Sequence, residues 1–207
     1  MLDVHLLDHR IGGFRDFTVH LLTITVGLLI AIGLEQSVEA MHHRHQRKEA
    51  EKLIREEIQD NQNALRENAK VLMDEINGMN HTLTSLEAIS NGHGGELSEK
   101  EIQFQEGPMQ DSAWRTASTT GVLSYMDYGE VEKFSAAYKV QDQLQMMEQL
   151  AGNDYLQLTP ILRGTGSKVD AAHAREALVY ARNATGHLSG IYFISKGALE
   201  SYAEALK

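Results

Sequence analysis

Residues 17–34 constrain this chain more than any other stretch. They read Phe-Thr-Val-His-Leu-Leu-Thr-Ile-Thr-Val-Gly-Leu-Leu-Ile-Ala-Ile-Gly-Leu, eighteen positions without an Asp, Glu, Lys or Arg. At 1.5 Å of rise per residue the run spans roughly 27 Å as a helix, close to the hydrocarbon thickness of a bilayer. Arg15 and Asp16 close it on one side and Glu35 on the other, and no other window is comparably apolar. We read it as a single transmembrane helix. A cleaved signal peptide competes, because Val38-Glu39-Ala40 loosely fits a small-residue cleavage pattern. Against it, the apolar run exceeds the roughly 7–15 residues of a signal core, and the head before it carries Asp3, Asp8 and Asp16.

Within the run, Thr23, Gly27 and Ala31 recur every four residues, a small-residue stripe on which two helix backbones can approach closely. They are the expected transmembrane association surface. His20, the one ionisable group, sits a turn from the end, where it reaches the interface. Arg10 and Arg15 precede the run and Arg44, Arg47 and Lys48 follow it, so positive charge does not select an orientation.

The next segment, residues 35–91, contains no proline and one glycine, Gly78, and is rich in Glu, Gln, Lys, Arg, Ala and Leu, all strong helix formers. Ile54, Ile58, Leu65, Leu72, Ile76, Met79, Leu83 and Leu86 keep three- and four-residue spacing, and Asn61 and Asn68 fill the gaps in that stripe. This predicts a long juxtamembrane amphipathic helix. Its seam either pairs with copies of itself as a coiled coil or buries against later helices of the same chain, and the presence of later helices favours the second. A basic collar, residues 41–48, suits anionic headgroups. A sharper reading is a metal site. Glu39 and His42 stand in a Glu-x-x-His spacing and Asp170 and His173 repeat it, as carboxylate-bridged di-metal helices do. If the last helix runs parallel to the first, the two pairs can come near each other.

Glycines 92, 94, 95 and 107 with Pro108 mark residues 92–110 as a loop. Helix signals resume at Asp111 and Ser112 and close at Gly121. A second long helix runs from Tyr128 to about Leu150 with Val131, Phe134, Tyr138, Leu144, Met147 and Ala151 on its apolar face. Gly152-Asn153-Asp154 weakens it, and a turn or two resumes before residues 163–166. A last helix spans roughly 167–206, capped by Ser167, with Val169, Ala172, Leu188, Ile191, Ile194, Ala198 and Tyr202 in a stripe and with His173 and His187 turned inward. No stretch alternates with period two. The expected fold is all-α: a polar head (1–16), a transmembrane helix (17–34), a long helix (35–91), a loop (92–110) and a helical bundle (111–207).

The chemistry is sparse. The 207 residues include no cysteine, which removes disulfides, thiolate metal sites and a cysteine nucleophile. Twenty-nine acids against 19 bases, a formal charge of −10, leave no basic stripe for nucleic acid. No nucleophile elbow, phosphate loop, dinucleotide fingerprint or His-Glu-x-x-His is present, and the acids read as lying on solvated helix faces. No enzyme and no cofactor are expected. Trp114, Tyr138 and His187 are the candidates for a small-molecule pocket.

Three segments carry a resemblance. They are the span Val-Gly-Leu-Leu-Ile-Ala-Ile-Gly-Leu-Glu-Gln, the helix Arg-Lys-Glu-Ala-Glu-Lys-Leu-Ile-Arg-Glu-Glu-Ile, and the set Trp114, Ala117, Gly121 and Leu123 leading to Tyr138. Over residues 14–140 the chain resembles bacterial single-pass membrane proteins of unknown function. The resemblance implies an inner-membrane location and brings no catalytic residues with it. The expected function is a membrane-anchored helical interaction or scaffold protein, partnered with the lipid bilayer and with itself or another membrane protein. A ligand-sensing module and a metal-binding bundle are the alternatives.

Overall fold

The computed structural model describes residues 13–95, 97, 102–105, 107, 109–164 and 169–207. Most of these are helical, with no strand among the described residues: α1 (Phe14–Ser90), α2 (Ser112–Thr120), a short 3-10 turn (Val122–Tyr125), α3 (Tyr128–Gly164) and α4 (Ala171–Ala205). The chain divides into two compact units, Met1–Lys48 and Glu49–Lys207.

The described part of the first unit is the N-terminal portion of α1. Its apolar side chains are exposed, among them Leu22, Ile24, Leu29 and Leu34. The hydroxyls of Thr18, Thr23, Thr25 and Ser37 donate back to the carbonyl four residues earlier at 2.7–2.9 Å. That pattern satisfies a hydroxyl inside the helix, as a medium without water requires. The helix is long and apolar enough to cross a membrane.

The second unit owns the core. Ile54, Ile58, Leu65, Leu72, Met79 and Leu86 are buried and Ile76 and Leu83 half-buried, so the apolar spacing of residues 54–86 marks the face that packs. The partners come from the same chain. Arg55 donates to Glu130 on α3 and to the Ala205 carbonyl on α4, while its guanidinium lies over the Phe134 ring. Arg182 and Arg175, near the start of α4, reach Glu87 and the Ser90 carbonyl. Residues 49–90 therefore run antiparallel to α4 and parallel to α3.

Three expectations change. First, α3 is unbroken through Gly152 and Asn153. Buried Ala151, Tyr155, Leu158 and Leu162 extend the stripe of Phe134, Tyr138 and Leu144, and packing on α4 outweighs the weak helix propensity of Gly and Asn. Pro160 lies inside this helix on its exposed side, where the carbonyl it leaves without a donor can meet water. Second, α4 opens at Ala171 under an Asp170 cap that accepts from the Ala172 and His173 amides at 2.9 Å; Ser167 lies outside the described residues. Third, the early part of α4 buries a ladder of small residues, Ala174, Ala177, Ala181 and Ala184, all fully buried, while Ala172 is exposed. Alanine at these positions lets α4 approach its neighbours closely, a feature that a search for large apolar residues passes over.

Candidate functional site

Two groups of polar side chains lie inside the second unit. The first straps Gln110 and the start of α2 onto the core. Glu57, 6% exposed, accepts from the Ser112 hydroxyl and Ala113 amide at 2.8 Å, the Trp114 amide at 3.4 Å and the Tyr138 hydroxyl at 2.6 Å. A carboxylate from α1 thus caps α2, a position favoured by the helix dipole. Asp111, the expected cap, makes no side-chain capping bond. Burial first, and the bond to Glu57 second, push the Tyr138 phenol far above its ordinary pKa, so it remains a donor. One turn on, Asn61 reads the backbone of Gln110 from both sides: its amide donates to the carbonyl at 2.6 Å and its oxygen accepts from the N–H at 2.8 Å. Gln141 accepts from Asn61 at 2.9 Å and from the Tyr202 hydroxyl at 2.7 Å.

The second group borders a cleft of about 1020 Å³, a volume that suits a small ligand. Glu75 forms part of its wall. Glu75 is 9% exposed and accepts from the Gln105 backbone N–H at 2.8 Å. Desolvation outweighs that bond and raises the carboxyl to about 7. Beside it Phe104 stacks on Tyr155, ring centroids 5.3 Å apart. The Tyr155 hydroxyl is buried and has no hydrogen-bond partner among the described residues. Burial, reinforced by the charge of Glu75, lifts its pKa.

The sequence candidates fall as follows. Thr23, Gly27 and Ala31 are exposed, and a side chain added at Gly27 meets nothing within 4 Å. Trp114 and Tyr138 come together, stacked with centroids 5.2 Å apart, and share a smaller recess of about 270 Å³. His187 is not part of that recess; its Nδ1 lies 2.7 Å from buried Asp154. His173 is exposed, not inward, and bonds Asp170 at 2.9 Å. Glu39 lies 3.9 Å from His43, and His42 is exposed. Of the expected metal residues, Glu39 and His42 belong to the first unit and Asp170 and His173 to the second. No group of three or more His, Cys, Asp or Glu side chains arranged to hold a metal is found among the described residues.

Sequence reasoning missed Glu57 and Glu75 by assigning acids to solvated faces. Both occupy stripe positions: Glu57 lies three after Ile54 and four before Asn61, Glu75 three after Leu72 and four before Met79. A carboxylate in the apolar register was the available signal. No protein-family model matches the chain, and neither a curated protein nor a solved structure matches it at a significant level.

Proposed function

We propose that the chain is a membrane-anchored helical interaction protein in which residues 17–34 cross the bilayer and residues 49–207 form a helical bundle that engages a partner, either further copies of the chain or another membrane protein. One observation carries the reading. Eighteen uncharged residues lie exposed on a helix, in a chain whose other unit builds its own core. An apolar stretch that size stays exposed only where lipid or another protein covers it. The test is alkaline carbonate extraction of membranes carrying the full chain, followed by native mass spectrometry in mild detergent. Retention in the pellet and a mass that is a multiple of 23.1 kDa, or includes other chains, is expected. Release into the supernatant overturns the anchor. Replacing Gly27 and Ala31 with Leu is expected to weaken self-association, and an unchanged mass would remove the small-residue stripe from the account.

A second reading, that the second unit senses a small molecule and acts through a partner, is favoured by the cleft at Glu75. A thermal-shift screen of the full chain tests it.

A further inference from the structure

The cleft at Glu75 has a chemical bias that narrows what it can hold. Among the described residues its wall contains two carboxylates, Asp74 and Glu75, and no Lys, Arg or His. Glu75 is buried; among the described residues it accepts one hydrogen bond, from the Gln105 backbone N–H to one oxygen, and pairs with no basic side chain. A buried carboxylate without a counter-charge is costly, and either a proton or a cation relieves it. Next to it the buried Tyr155 hydroxyl has no partner among the described residues. The remaining described wall sets Val71, Leu156 and the stacked Phe104 and Tyr155 rings beside uncharged polar side chains, Gln103, Gln149 and Asn153 among them.

We propose that this cleft binds a small organic cation, a protonated amine on an apolar or aromatic body, with Glu75 as its counter-ion. The inference rests on the second reading above, that the cleft takes a ligand, and not on membrane anchorage. A primary ammonium supplies three donors; the free oxygen of Glu75 and the Tyr155 hydroxyl oxygen are acceptors in want of them. The apolar body occupies the side of Val71, Leu156 and Phe104. Metal ions suit the wall less well, because they want several oxygen ligands converging on one point and have little use for aromatic rings.

Proton balance gives the proposal a signature. The ammonium takes the place of the proton on Glu75, which is released to the buffer. Affinity therefore rises with pH until Glu75 is ionised. With the carboxyl at about 7, the ionised fraction falls about tenfold from pH 8 to pH 6.

The experiment is calorimetric titration of the full chain in mild detergent with three probes of one shape: 2-phenylethylammonium, 2-phenylethanol and 3-phenylpropionate. The ammonium is expected to bind at pH 8, about tenfold more weakly at pH 6, and to release protons in that range. The alcohol should bind at least tenfold more weakly and the propionate not at all. Glu75→Gln should lose at least tenfold for the ammonium, and the same micelles with this variant subtract partition into detergent. Asp74→Asn, an exposed acid, should lose no more than about threefold. The pH series on the unaltered chain keeps the test decisive even where Glu75→Gln melts early. Alcohol and ammonium binding alike, with Glu75→Gln harmless, overturns the cation and leaves a ligand-binding cleft. Binding by none of the three overturns both the cation and the ligand reading on which it rests.

Discussion

Removing the Glu57 carboxylate should loosen the strap before it unfolds the protein. In Glu57→Ala two losses combine. The α2 amides of Ala113 and Trp114 lose their cap, worth about 1 kcal/mol. The Tyr138 hydroxyl, which donates at 2.6 Å in a site 3% exposed, is left unpaired, at a cost of about 1–3 kcal/mol. Some of both is recovered by water entering the void beside Ser112, so the expected total is about 1–3 kcal/mol. Tyr138→Phe leaves the cap in place and should cost about 1 kcal/mol. Because the two residues share one bond, Glu57→Ala and Tyr138→Phe should combine less than additively, with a coupling of at least about 0.5 kcal/mol. The assay is urea unfolding of the full chain in detergent, followed by far-ultraviolet circular dichroism and by fluorescence of Trp114. That indole is the only tryptophan and stacks on Tyr138, so it reports the strap locally. In Glu57→Ala the fluorescence transition should precede the loss of helix, whereas the two coincide in the unaltered chain. A cost below about 1 kcal/mol, or strict additivity with Tyr138→Phe, refutes the claim that Glu57 ties α2 to the core.

Glu75 makes a pH prediction of definite sign. Its carboxyl lies at about 7 in the fold against 4.5 when free, so the folded state holds the proton more tightly. Its contribution is fully present below about pH 4.5 and is lost as pH rises to about 7, with no further change above. The full shift would correspond to about 3 kcal/mol; discounted for solvent in the cleft, about 1–2 kcal/mol is expected. Glu75→Gln should flatten that part of a stability-against-pH curve, and an unchanged slope refutes the assignment. Ala181→Leu places three extra carbons into a fully buried position on α4 and should destabilise by about 1–3 kcal/mol in urea melts, while the same change at exposed Ala172 should stay within about 0.5 kcal/mol. Equal effects at the two sites would refute the alanine ladder.

Local rules carried the sequence a long way here. An uncharged run of eighteen residues announces itself without any partner, because its length and composition already match a bilayer. The stripe from Ile54 to Leu86 likewise shows which face of α1 is buried, since three- and four-residue spacing is a property of one helix alone. Gly121 closing α2 follows from its left-handed φ of 76°, which glycine adopts without strain. Trp114 and Tyr138, singled out with His187 as pocket candidates, stack on each other, while His187 lies elsewhere.

What sequence could not reach depends on which helix faces which. The continuation of α3 through Gly152 and Asn153 is decided by contacts with α4, not by local propensity. The alanine ladder matters only because neighbouring helices approach it. Glu57 and Glu75 stand in the apolar register of α1, but what that position makes of them is decided only when Ser112 and Gln105 come against them: one becomes the cap of a helix 55 residues away in sequence, the other a carboxyl at about 7 in the wall of a cleft. His187 finds Asp154 for the same reason. Period and composition belong to a segment and can be read from it. Desolvation and charge pairing belong to a place in space, and only the tertiary structure makes that place.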